Sequence, residues 1–128
     1  MKDPHIRLVL DTTAVLAYAE TSLHVGETIS EVLDEGGRFG IPVYCLAEAS
    51  RRVAEKNAEG VTLLTRHPHC EVLPTLAEDW TVLGAFARVL GPVDLAVALL
   101  EATDRPASYV VSGEPDAYGD DDMPVIGI

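Results

Sequence analysis

Acidic residues stand where apolar runs stop. Ile6-Arg7-Leu8-Val9-Leu10 ends at Asp11, and Ala107-Ser108-Tyr109-Val110-Val111 ends at Ser112-Gly113-Glu114, with Asp116 just beyond. A further acid, Asp94, opens the apolar run Leu95 to Leu100. Short apolar runs with a polar stop read as buried strands of a parallel sheet, and such sheets bind ligands beyond the carboxyl ends of their strands. Helix N-termini tend to reach the same edge, where their dipole favours an anion by about 0.3–1 kcal/mol. Acids gathered there without basic neighbours repel one another. A divalent cation relieves that repulsion, and carboxylate oxygens suit Mg2+ or Mn2+. The chemistry on offer is cation binding, with Asp11, Asp94, Glu114 and Asp116 as ligands.

Each acid also has a plainer reading. Asp94 is a good N-cap for the helix it precedes. Asp11 could cap as well, although Thr12 and Thr13 are able to do the same. Glu48 lies off the apolar stripe of its helix, beside Arg52 and Glu55, as a solvated residue would. Glu114 before Pro115 suits a helix first turn. Asp120-Asp121-Asp122 reads as a solvated turn, with a second cation site as the alternative. His67-Pro68-His69-Cys70 offers no fourth ligand, and Pro68 marks a loop, so it is not read as a metal site.

Positioning these acids requires alternating strands and helices. Strands are expected at 6–10, 39–41, 71–73, 107–111 and 124–128. Helices are expected over 14–20, from a Ser22 cap to Gly36-Gly37, from Pro42, and over 61–66. The helix from Pro42 carries the stripe Val43, Leu46, Ala47, Ser50, Val53 and Ala54. Thr75 is expected to cap a helix with Leu76, Trp80, Leu83, Ala87 and Leu90 on one face, broken by Gly91-Pro92. The next helix, after Asp94, is apolar on all sides and so should be buried. The resulting order, β-α-α-β-α-α-β-α-α-β-α-β, indicates a parallel sheet covered on both faces.

Composition bounds the rest. At 128 residues the chain fits one domain, 1–128, large enough for a core without staples. A hydrophobic content of 48% and mean hydropathy of +0.17 exclude a disordered chain. No apolar run reaches a membrane span or a signal-peptide core, so no membrane partner and a cytoplasmic location are expected. Cys45 and Cys70 read as reduced, packed thiols. The net charge of −12 argues against non-specific nucleic-acid binding and agrees with a cation site or a basic partner.

Taken together the segments resemble the PIN-domain family, which includes the VapC-type toxin ribonucleases. The carriers are Val9-Leu10-Asp11-Thr12-Thr13, the Pro-led helix Ile41-Pro42-Val43-Tyr44-Cys45-Leu46-Ala47-Glu48, Val93-Asp94-Leu95-Ala96-Val97-Ala98, and Val110-Val111-Ser112-Gly113-Glu114-Pro115-Asp116. The match spans nearly the whole chain in family order. One departure is Glu114 where the family usually has Asp.

The resemblance implies a three-layer α/β/α sandwich and Mg2+- or Mn2+-dependent cleavage of RNA. It implies catalytic roles for Asp11, Glu48, Asp94 and Glu114, with Asp116 as an added or substitute ligand. Thr12 and Ser112 would orient the ligating carboxylates by hydrogen bonds. Arg51 and Arg52, with Lys56 and Arg66, are the candidates for substrate phosphates. A basic antitoxin and a homodimer are the further partners it implies. The rival is a non-catalytic PIN-like binding module, favoured by the acidity and by Glu114. A receiver-like phosphorylation domain fits worse, because no Lys follows Lys56.

Overall fold

The structure, a computed structural model, describes residues 2–20, 23–120 and 122–128. The expected Ser22 cap and the centre of the Asp120-Asp121-Asp122 turn lie outside the described residues.

Five parallel strands form one sheet: β1 (Ile6–Leu10), β2 (Arg38–Pro42), β3 (Cys70–Leu73), β4 (Tyr109–Ser112) and β5 (Val125–Gly127). The helices are α1 (Thr12–Ala19), α2 (Leu23–Asp34), α3 (Val43–Arg52), α4 (Ala58–Thr65), α5 (Trp80–Leu90) and α6 (Val93–Thr103). The strand order is β3-β2-β1-β4-β5. The chain steps outward from β1 to β3, then crosses back to lay β4 on the other side of β1. The order therefore reverses between β1 and β4, and a crevice beyond their carboxyl ends is the usual ligand site of such sheets. Leu10 pairs with Val111, so the residues that follow each strand emerge side by side.

Alternation along β1 builds the layers. Leu8 and Leu10 face Val15, Val25, Ile29, Val61 and Leu64 from α1, α2 and α4. Val9 faces Leu95 and Leu99 of α6 on the opposite side, giving a three-layer α/β/α sandwich. Ile6 joins the Val9 side because the ladder slips between Ile6 and Leu8. α6 is buried continuously from Asp94 to Ala102, as its all-round apolar composition requires. α3 runs across the carboxyl edge: Cys45 packs with the α6 side and Ala49 with the α1 side.

Some elements differ from their sequence reading. The inward face of α3 is Cys45 and Ala49, flanked by half-buried Leu46 and Val53, while Val43, Ala47 and Ser50 are exposed. The stripe is one residue out of phase because small side chains, not the large Val43, allow close approach to α1 and α6. Residues 77–79 form a single 3-10 turn, so α5 begins at Trp80. Trp80 is 75% exposed rather than packed, and α5 rests on α6 through Phe86 and Leu90. The segment expected to be a helix between β4 and β5 is one 3-10 turn, Pro115–Tyr118. Gly119 ends it at φ 96°, a conformation that favours glycine. Ala107, at φ 58°, falls outside β4.

Among the described residues no single helix is long and apolar enough to cross a membrane. α5 and α6 pass by composition only as a pair, and they are bent by 118° at Gly91-Pro92.

Candidate functional site

Asp11 stands at the β1/β4 switch point and is wholly buried. Extended backbone at Asp11 ends β1 and lets the side chain turn back as the N-cap of α1. Its Oδ1 accepts from the Ala14 N–H at 2.9 Å and from the Thr13 hydroxyl at 2.7 Å. Its Oδ2 accepts from the Tyr118 hydroxyl at 2.7 Å. The cap reading is thus correct as far as it goes, but it accounts for only one of these donors.

Asp94 is in the first turn of α6 and is 7% exposed. It is not the cap. Pro92 precedes the helix with no side-chain cap bond, and Asp94 Oδ2 instead accepts from the Thr12 hydroxyl at 2.7 Å. Thr12 therefore does orient a carboxylate, that of Asp94 rather than its neighbour. Among the described residues Ser112 bonds Thr13 and the Glu114 backbone rather than a carboxylate, and so acts one step further out. Its Oγ lies 3.3 Å from Thr13 Oγ1 and accepts from the Glu114 N–H at 3.0 Å. The Gly113 N–H donates to the same Thr13 hydroxyl at 2.8 Å. The chain of contacts Asp11–Thr13–Ser112 ties the loop after β1 to the loop after β4.

Two members of the site carry no warning in the sequence. The Cys45 thiol donates to the Asp94 carbonyl at 3.3 Å. Burial pushes this thiol far up, and the nearby charges of Asp11 and Asp94 push it further. Tyr118 is 1% exposed, and its phenol is raised first by burial, then by the charge of Asp11 and the hydrogen bond to it. A Cys inside a helix motif and a Tyr inside a polar loop read as ordinary packing. Only the tertiary fold brings them to the acids.

The other expected residues stand apart. The Glu48 side chain is partly buried, one turn along α3 from Cys45, and its Oε1 is taken by Arg51 and by Arg52, the latter at 2.8 Å. Arg51, then Arg52, hold its carboxyl down to about 2. The two arginines expected to meet phosphate are thus already engaged by Glu48. Glu114 and Asp116 are exposed and make no ion pair with a described residue. Lys56 and Arg66 are exposed as well. Among the described residues, no three His, Cys, Asp or Glu side chains converge at metal-binding distances.

Neither Asp11 nor Asp94 forms an ion pair among the described residues. Removing carboxylates from water without a cation is costly, several kcal/mol per ion after relaxation. The donors that face them are hydroxyls and one backbone N–H, which offset only part of that cost. Hard oxygen donors around two uncompensated charges fit a hard divalent ion. Mg2+ in particular binds through one or two carboxylates while keeping waters and substrate phosphates in its shell. No family model and no curated protein matches this sequence.

Proposed function

We propose that the chain is a metal-dependent ribonuclease whose Asp11 and Asp94 hold Mg2+ or Mn2+ at the β1/β4 crevice. The observation that carries this reading is the pair of buried carboxylates without a cationic partner among the described residues, at the edge where parallel sheets bind ligands. The resemblance of four ordered motifs to PIN-domain nucleases supports it. When bound, such an ion lowers the pKa of a water and offsets charge on the phosphodiester oxygens. Thr12 fixes Asp94 and Thr13 fixes Asp11, so both carboxylates are oriented before substrate arrives. Glu48 and Glu114 would join the shell only by rearrangement, Glu48 by leaving Arg51 and Arg52 and Glu114 by turning in from its exposed position. With a net charge of −12, RNA gains little from the protein surface itself. The ion would carry that attraction. A basic antitoxin Arg would answer the same carboxylates through charge-assisted hydrogen bonds.

A second reading, a PIN-like binding module without catalysis, draws on one specific observation. Arg51 and Arg52 are paired with Glu48 and so are not free for phosphate. Cleavage assays separate the two. Purified protein in Mn2+ should cut single-stranded RNA, and Asp11→Asn or Asp94→Asn should reduce the rate far more than tenfold. Folded wild-type protein inert on varied RNAs would favour the binding module.

A further inference from the structure

Asp11 accepts three hydrogen bonds, from Thr13, Ala14 and Tyr118, out of about four that a carboxylate can take. The first two belong to the local turn of α1: a neighbour's hydroxyl and a cap N–H. The third is different in kind. Tyr118 arrives from 107 residues away, on the turn that also carries Asp116, and its ring is packed in the core beside Cys45, Leu95 and Val110. Packing alone would be satisfied by a Phe. The hydroxyl adds one thing, a bond to Asp11 Oδ2, the oxygen that the α1 cap leaves free. Asp11 has no exposed surface with Tyr118 in place.

We propose that the Tyr118 hydroxyl is the residue-level determinant of cation affinity at this site. It competes with the ion for Asp11 Oδ2, and the ion binds by displacing it. The inference rests on the reading of Asp11 and Asp94 as a cation site and adds what tunes it. Oδ2 has a second acceptor position, but with the Tyr118 hydroxyl in place Asp11 has no exposed surface, so the ion reaches Oδ2 by displacing that donor. A hydrogen bond to a charged acceptor contributes enough that removing it should tighten binding on the order of tenfold to a hundredfold. Tyr118→Phe keeps the ring and deletes only the competitor.

The test is Mn2+ binding to the full chain, measured by calorimetry and by the paramagnetic signal of free Mn2+, for wild type, Tyr118→Phe and Asp94→Asn. Tyr118→Phe should bind at least tenfold more tightly than wild type, and Asp94→Asn more weakly. Saturating Mn2+ should also give wild type a tyrosine difference absorbance, from the phenol leaving a carboxylate, that Tyr118→Phe lacks. Equal or weaker binding by Tyr118→Phe, with Asp94→Asn still impaired, overturns the competition while leaving the cation site standing. Folded wild type and Tyr118→Phe that both fail to bind overturn both. Should Tyr118→Phe not fold, wild type alone decides: a silent tyrosine spectrum at saturating Mn2+ overturns the proposal.

Discussion

The two ends of α6 each bury carboxylates, and they treat them oppositely. Near its C-terminus, Glu101 is 3% exposed and fully paired: Lys2 Nζ lies 2.7 Å from Oε1, and Arg105 Nη1 lies 3.0 Å from Oε2. Arg105 also donates to the Glu101 carbonyl and to the Asp3 carbonyl, and Lys2 reaches Asp104. Near its N-terminus, Asp94 and the neighbouring Asp11 have hydroxyl and N–H donors but no ion pair among the described residues. A carboxylate that serves only the fold can be neutralised within the chain, as Glu101 is. Leaving two of them uncompensated in one crevice costs stability, and such a cost persists where function requires it. The contrast separates a structural clasp, fastening the N-terminal segment to α6, from the site proposed above to take a cation.

The largest effect should come from breaking the clasp. Arg105→Met leaves Glu101 buried with half its partners, so the loss should approach the roughly 3–5 kcal/mol seen when one member of a buried pair is removed. For a domain of this size that is a fall in melting temperature of roughly ten to twenty degrees. A shift of a degree or less in a thermal melt would mean that the two ends do not differ as described.

Asp94→Asn should behave in the opposite way when metal is chelated. The change keeps shape and one acceptor for Thr12 while removing a buried charge, so the melting temperature in EDTA should stay level or rise. A fall as large as that of Arg105→Met would make Asp94 structural.

The smallest effect concerns Glu48. Its carboxyl is held down by Arg51 and Arg52, so the pairing stabilises the fold above the ordinary Glu range, near pH 4.3, and is lost as pH falls toward about 2. Because the arginines are exposed, the stability at stake is slight. The clear readout is the carboxyl carbon shift in NMR. It should titrate near 2 in wild type and return toward 4.3 in a double Arg51→Ala, Arg52→Ala variant. An ordinary value in wild type would free both arginines for substrate and strengthen the nuclease reading.

What the sequence made legible follows from which interactions are local. The apolar run of β1 with its acid stop, and the all-round apolarity of α6, each depend on one stretch of chain, and both stand as read. The carboxyl edge was legible because parallel strands share a direction. The phase of α3 was not, because Cys45 and Ala49 face inward for their small size against α1 and α6, which hydropathy does not register. For the same reason the reading of Glu48 rested on a misplaced stripe. Asp94 looked like a cap because a cap needs only an acid before a helix, whereas its true partner, Thr12, is 82 residues away. Tyr118 and Cys45 enter the site through the sheet order, and no local pattern encodes that order.

The most direct test of the central claim, that Asp11 and Asp94 await a cation, is the melting temperature with and without Mn2+. For wild type, Mn2+ at a hundredfold excess over Kd should add about 2.7 kcal/mol. That corresponds to a rise of roughly ten degrees over the EDTA value. Asp11→Asn and Asp94→Asn should lose most of that rise, while Arg105→Met, destabilised at the other end of α6, should keep it. Equal rises in wild type and both aspartate variants, or no rise in any, would contradict the claim and return Asp11 and Asp94 to the scaffold.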